Sequence, residues 1–198
     1  GNKQDGNMHG LRKSVHNLVK VKMQSAIASN DDIRAETNAF NVIAAPGMPE
    51  MLDEMITLST DRRNTAFVIG DTPFRLKADA TSITNWASNA NSASENGEDG
   101  LVSSSPYAAV YYPHGLATNL DGTNVMVPAS YMTLRTIAFN DQVAFPWFAP
   151  AGFQRGLVNN VTSVGFLDST TSEFEAVSLS EGQRDSLYSN KVNPIGNF

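Results

Sequence analysis

The sequence predicts an α/β fold, a layered sandwich in which a mixed, largely parallel sheet is flanked by helices. Two observations favour it: short β-branched and apolar runs alternate with helical patterns, and one strand, helix and strand follow each other within about thirty residues. Such a succession favours a right-handed crossover, which places both strands parallel in one sheet. At 198 residues the chain is long enough to bury a substantial core.

The first predicted element is an amphipathic helix that follows a polar lead-in. Apolar residues recur at helical spacing, with basic residues at positions between them. Because the stripe has no aromatic residue, we expect it to pack against the protein rather than lie on a membrane. Residues 1–38 are predicted to be the lead-in and helix, and residues 39–198 the α/β body. The apolar positions are Leu11, Val15, Leu18, Val19, Met23 and Ile27.

A strand–helix–strand unit begins the predicted body. The apolar run 40–45 is typical of a buried strand, and Pro46 with Gly47 indicates the turn that ends it. Pro49 suits the first turn of a helix, where nearby acidic residues complement the positive end of the helix dipole. A second strand is predicted at residues 65–70.

The middle of the chain continues this alternation. Residues 80–87 are predicted to form a helix that carries Ile83 and Trp86. Residues 88–105 are mainly Ser, Asn, Glu and Gly, which predicts a flexible surface loop with almost nothing to bury. The β-branched and aromatic run 107–112 predicts a third strand.

The last part of the chain adds two strands and two helices. The closing helix has the clearest signal, because Gln183 stands three residues after the predicted N-cap Ser180 and completes a capping-box pattern. A tight turn at residues 119–123 precedes the first of these strands. The predicted elements are a strand at 125–127, a helix at 128–139, a strand at 161–167 and a helix at 180–188.

Composition excludes several classes of protein. The chain has no cysteine, which excludes disulfides, thiolate metal sites and cysteine nucleophiles. Its net charge of -6 disfavours nucleic acid, and no apolar run approaches the roughly 20 residues that cross a membrane. With three histidines, a histidine metal site would have to borrow carboxylates. We therefore expect no cofactor, no metal, no nucleic-acid partner and no membrane partner.

Two residues, Asp71 and His114, are candidates for catalytic groups because each follows the end of a predicted strand. Asp71 lies just past a predicted strand, where α/β enzymes place such groups, but Asp-Thr-Pro is also an ordinary turn and cap sequence. His114 follows another strand end, and a loop histidine without a nucleophile or metal partner is expected to be solvated. We predict no catalytic, cofactor-binding or metal residues and no enzyme activity. A small-ligand-binding or hydrolytic α/β enzyme that uses Asp71 and His114 remains the alternative.

An aromatic and proline-rich loop surrounds Trp147, at residues 145–150. Such a loop is able to grip a ligand or a peptide. Its rings are also suited to cap the core of the domain or to contact a neighbouring subunit. The last two interpretations are favoured over ligand binding.

An uncommon succession of local sequences occupies the second half of the chain. The motifs are Ser105-Pro106-Tyr107-Ala108-Ala109-Val110-Tyr111-Tyr112-Pro113, Val127-Pro128-Ala129-Ser130, Trp147-Phe148-Ala149-Pro150-Ala151-Gly152, Leu187-Tyr188 and Asn193-Pro194-Ile195. In this order they resemble the tail sheath proteins of contractile-tailed bacteriophages. Departures from the family pattern are Pro106, an extra residue in the first motif, and Ala129, which replaces a proline in the second. Ile43 to Gly47 also resembles the Ile-Ala-Pro-Gly strand end of the family.

The resemblance implies a structural role. Sheath subunits polymerise helically around a tail tube and contract to drive it through the host envelope during genome delivery. The implied partners are other sheath subunits and the tail tube protein, and the implied location is the virion after assembly in the bacterial host cytoplasm.

Family members continue past the Asn-x-Ile point into a Gly-Ala-Arg-Thr segment and a C-terminal domain. The resemblance therefore implies that this chain is a fragment of a larger sheath subunit and lacks the arms that link subunits. We expect this fragment to be mainly monomeric in solution. A receptor-binding or decoration module, based on the loop at 88–105, is a third interpretation.

Overall fold

The computed structural model describes residues 13–94 and 96–197, so the predicted lead-in and Leu11 lie outside the described residues. The helices are α1 (Lys13–Ser29), α2 (Leu52–Asp61), α3 (Ala80–Ala87), α4 (Ala129–Val143), α5 (Gly152–Arg155) and α6 (Glu181–Ser189), and a 3-10 turn (Pro49–Met51) leads into α2. The strands are β1 (Val42–Ala44), β2 (Phe67–Asp71), β3 (Ala108–Tyr112), β4 (His114–Thr118), β5 (Asn124–Val127), β6 (Ser163–Leu167), β7 (Phe174–Ala176) and β8 (Val192–Pro194).

The strands form two sheets, and the predicted α/β class is confirmed. Sheet A has the order β1-β2-β3-β8 and is parallel throughout. Sheet B has the order β5-β4-β6-β7 and is antiparallel throughout. The predicted crossover from β1 through α2 to β2 is present, with Ile43 opposite Val68. The antiparallel strands therefore form a sheet of their own beside the parallel one.

Helices cover sheet A on both faces, as two neighbouring residues of β2 show. A Cβ on Gly70 would lie 2.9 Å from Leu52 Cδ1, so Gly70 faces α2. The next residue, Asp71, hydrogen-bonds to Ser130 of α4. Because successive strand residues point to opposite faces, α2 and α4 lie on opposite sides of the sheet.

The main hydrophobic core lies between sheet A and the helices on the α2 side. Its fully buried members come from the 3-10 turn, the helices and three strands of the sheet, so elements distant in sequence share one core. These members include Met51, Met55, Val68, Ile83, Tyr112, Leu187 and Val192.

Helix α1 packs on α2 and the 3-10 turn with only part of its predicted apolar stripe. Val19, Met23 and Ile27 lie against the core as expected. Val15 and Leu18 were expected on the same stripe, but both are exposed. The reason is that the polar residue His16 occupies the buried position in this part of the helix and pairs with a buried carboxylate of the 3-10 turn.

The loop at residues 88–105 is more closely attached to the body than its composition suggests. Gly97 and Gly100 are buried, and Trp86 Nε1 donates a 2.8 Å hydrogen bond to the Gly97 carbonyl. A Cβ on Gly97 would collide with the Pro49 carbonyl. The expectation that this segment has almost nothing to bury is therefore wrong around Gly97.

Candidate functional site

The carboxyl ends of β1 and β2 meet the start of α4 in a buried polar cluster. Asp71 ends β2 and is 2% exposed. Its Oδ2 accepts hydrogen bonds from Gly47 N and Ser130 Oγ, and its Oδ1 accepts one from Ser130 N, each at 2.7 Å. Ser130 is the second residue of α4, whose first N–H groups have no partner inside the helix. Asp71 therefore acts as a cap for α4 that comes from a distant part of the chain.

His114 links the same elements from the other sheet. It is completely buried, and its Nε2 donates to the Thr72 carbonyl at 2.9 Å. Its Nδ1 accepts from Ala129 N, the first N–H group of α4, at 3.2 Å. Burial lowers the pKa of His114, although the charge of Asp71 acts in the opposite direction. The imidazole is therefore neutral at pH 7.

The expectation that His114 is a solvated loop residue is wrong. It begins β4, a strand that sequence reasoning missed, and the ring of Phe74 stacks on it with centroids 4.2 Å apart. The structure does bring Asp71 and His114 together at the start of α4. There Asp71 accepts a hydrogen bond from Ser130 N, and His114 accepts one from Ala129 N. Both use their polar atoms to hold α4 to the sheets, so the arrangement favours a structural role over an acid–base pair.

A second buried cluster joins α1 to the body. His16 Nε2 donates to Glu50 Oε1 at 2.6 Å, and both side chains are buried. Burial, with the nearby charges of Glu50 and Asp99, raises the pKa of Glu98 to about 8, although Arg75 opposes the shift. Glu98 therefore retains its proton at neutral pH, beside the carboxylate of Glu50.

Two cavities open on the surface away from these clusters. The larger, of about 700 Å³, is lined in part by Arg34, Asp61 and Arg62. Arg34 Nε donates to Asp61 at 2.8 Å, and Arg62 donates to three backbone carbonyls between residues 33 and 38. These guanidinium groups therefore hold the segment between α1 and β1 in place.

The smaller cavity, of about 260 Å³, lies between the loop that leads to β3 and the end of α6. Ser103, Ser104 and Lys191 are among its lining residues. Neither cavity includes Asp71 or His114. Neither of these cavities therefore joins the two groups on which the enzyme alternative depends.

Several exposed aromatic rings lie at the end of α4 and in the loop that follows it. Phe145 and Trp147 stack with centroids 4.7 Å apart and ring planes 2° apart, yet they are 60% and 75% exposed. Phe139 and Val143 are also exposed, one turn apart at the end of α4. We call these four residues the aromatic surface. The interpretation that the Trp147 loop caps the core is therefore wrong, while the interpretation as a subunit contact remains a prediction.

Within residues 13–94 and 96–197, no group of three or more His, Asp or Glu side chains is arranged to hold a metal ion. Over the same ranges, no helix combines the length and the apolar character needed to cross a membrane.

Comparisons with known proteins point in one direction. A segment of 75 residues, 38% of this chain, is 35% identical to the tail sheath protein of Vibrio phage KVP40. A segment of 114 residues, 57% of the chain, is 29% identical to the tail sheath protein of Enterobacteria phage T4. The chain is similar to phage tail sheath proteins. This confirms the resemblance that the motifs carry.

The tail sheath similarity covers a small part of the relatives. The matched segments span 10% and 15% of the lengths of the two sheath proteins. No family model matches the chain. The similarity supports a structural protein rather than an enzyme. The activity and the partners of whole sheath proteins are proposals for this chain.

Sequence reasoning missed several of these residues for identifiable reasons. The pairing of His16 with Glu50 and the raised pKa of Glu98 depend on contacts between segments that are far apart in the chain. The helical spacing of His16 with Val19 and Met23 is a signal that could have placed it on the buried face. Phe139 was predicted to end its helix, but the helix continues to Val143 and extends the aromatic surface.

Proposed function

We propose that this chain forms part of a contractile phage tail sheath subunit, which polymerises helically around the tail tube. The sheath contracts and drives the tube through the host envelope during genome delivery. The observation that carries the proposal is the similarity to two phage tail sheath proteins. The partners are other sheath subunits and the tube protein, and the location is the virion, after assembly in the bacterial host cytoplasm.

The architecture supports this role in physical terms. A sheath subunit has to stay folded while its contacts with neighbours exchange, because contraction moves rigid bodies between two lattices. In this chain, buried polar groups tie the elements together: Asp71 joins β1, β2 and α4, while His114 joins β4 to the same helix. Residues 39–198 then provide the rigid body, and residues 1–38 contribute the helix packed on it.

The isolated chain is proposed to be mainly monomeric at low concentration. Sheath subunits associate through heterologous contacts that each bury limited area, and their lattice needs many of them together. Light scattering at micromolar concentration should give the mass of one chain. Spontaneous tubes or stable rings would contradict this expectation.

Immunogold electron microscopy tests the proposal directly. An antibody raised against the purified chain is applied to contractile-tailed particles from bacteria that produce this protein. Labelling at regular intervals along the tail shaft is expected. Labelling confined to the tail tip or to the head would instead indicate a receptor-binding or decoration module, and unlabelled particles would refute a role in the virion.

A further inference from the structure

Two exposed apolar surfaces lie on opposite sides of sheet A. The aromatic surface belongs to α4 and the loop that follows it, on one face of the sheet. The second surface is formed by Val15, Leu18 and Val21, which are 43%, 60% and 54% exposed. We call these three residues the outer face of α1, and α1 packs on α2, which covers the other face of the sheet.

The size of the aromatic surface suits a protein partner. Scaled by their exposed fractions, its side chains present roughly 500 Å² of apolar area. That matches the apolar share of one side of a standard interface, which buries about 800 Å² per partner. Exposed apolar patches of this size on soluble proteins mark interaction sites.

Charge favours the outer face of α1 as the complement. The sequence of α1 contains Lys13, Lys20 and Lys22 and no acidic residue, although the whole chain has a net charge of -6. Lys22 lies one turn after Leu18 and is exposed. Its ammonium group is attracted to the negative faces of aromatic rings, and Trp147 has the most suitable ring.

We propose that the aromatic surface of one copy binds the outer face of α1 on the next copy, in a head-to-tail contact. The proposal rests on the proposed function, because a helical sheath requires contacts between two different surfaces of identical subunits. Surfaces on opposite sides of the sheet satisfy this requirement, since each bound copy leaves one surface of each kind free for the next. The contact therefore propagates instead of closing as a dimer.

Cysteine cross-linking tests this contact cleanly, because the natural chain has no cysteine. Ser25→Cys places a thiol on α1 beside its outer face, and Ala149→Cys places one beside Trp147; both positions are exposed. Ser169→Cys is the matched control at an exposed position between β6 and β7 of sheet B, and Ser169 belongs to neither surface. The variants are mixed in pairs at high protein concentration under mild oxidation, and disulfide-linked dimers are followed on non-reducing gels.

The Ser25→Cys and Ala149→Cys pair should cross-link at least about fivefold faster than either variant with the control, because the contact raises the effective concentration of the two thiols. Adding Trp147→Ala to the Ala149→Cys chain should return the rate to that of the control. The contact is refuted by equal rates for all pairs, or by a Trp147→Ala variant that cross-links as fast as its parent. Fastest linkage within Ala149→Cys alone would also refute it, since two aromatic surfaces would then meet.

This test and the immunogold experiment fail independently. If the tail shaft is labelled but the pair cross-links at the control rate, the head-to-tail contact is wrong and the proposed function stands. If the pair cross-links quickly but no particle is labelled, the chain self-associates through these surfaces and the sheath role is wrong.

Discussion

Single buried polar residues connect separate strands and helices of this protein through hydrogen bonds. Asp71 accepts hydrogen bonds from three donors in two distant segments, and His114 uses one ring nitrogen on the Thr72 carbonyl and the other on Ala129 N. Sequence patterns identified both residues as noteworthy but assigned them to a strand end and a loop. Their partners at Ser130 and Ala129 are far along the chain, so only the tertiary fold reveals that they cap α4.

Replacing Asp71 by alanine should destabilise the protein by about 3 kcal/mol or more. The change leaves the N–H groups of Gly47 and Ser130 and the Ser130 hydroxyl without their acceptor in a buried place. Urea denaturation measures the free energy of unfolding. Asp185→Ala removes an exposed carboxylate from α6 and should change stability by less than about 0.5 kcal/mol. Equal effects of the two variants would show that the cap is unimportant.

Glu98 should make stability depend on pH. Its pKa is about 8 in the folded protein and lies near the ordinary glutamate value of 4.5 when the chain is unfolded, so the folded state holds this proton more tightly. Its contribution to the free energy of unfolding is therefore complete below about pH 4.5. Between about pH 4.5 and about pH 8 this contribution falls as pH rises, by at most about 1.4 kcal/mol per pH unit.

Glu98→Gln removes this decline, so the variant should gain stability relative to the natural protein between pH 5 and pH 8. Urea denaturation at several pH values measures the difference. Glu181→Gln changes an exposed glutamate and should show no such trend. A stability difference for Glu98→Gln that stays constant with pH would contradict the proposed burial of this carboxyl group.

At the scale of elements, prediction succeeded where the signal is local. The capping box of α6 is present in full, because Ser180 accepts from Gln183 N and the Gln183 side chain accepts from Ser180 N. Strand β4 was missed because its sequence, HGLAT, has little β-branched content. Its partners are β5 and β6, and the pairing of Gly115 with Val164 spans a long stretch of chain that no local pattern reveals.

The capping box gives a direct test at this scale. Ser180→Ala should cost about 1 kcal/mol, since it removes the acceptor for an N–H group in the first turn of α6. Thermal and urea denaturation both report the loss. Ser169→Ala, at an exposed position where no hydrogen bond of the side chain is lost, should leave stability nearly unchanged. A loss no larger than in that control would rule out a stabilising cap.

Two glycines provide a matched pair for the packing of sheet B. Gly165→Ala should destabilise the protein by about 1–3 kcal/mol, because the added Cβ collides with the Glu175 carbonyl where β6 pairs with β7. Gly182→Ala in α6 adds a Cβ with no neighbour within 4 Å and should stabilise by up to about 1 kcal/mol. Effects of the same sign from both variants would contradict this description of the sheet.

At the scale of the whole molecule, the parallel sheet A, the antiparallel sheet B and their helices carry an exposed aromatic surface. The sequence predicted the α/β class and the parallel crossover because alternating periodicities specify them. It did not predict that the antiparallel strands separate into sheet B, which depends on pairings across the chain. Nor did it decide between core and contact for Trp147, since aromatic rings suit both.

Helical reconstruction by cryo-electron microscopy of extended and contracted tails from particles that contain this protein is the most decisive measurement. We expect density for the body, with sheets A and B intact, to repeat along the shaft in both states. The copies should move as rigid units relative to one another. A shaft whose repeating density does not accommodate this fold in either state would contradict the assignment to a tail sheath.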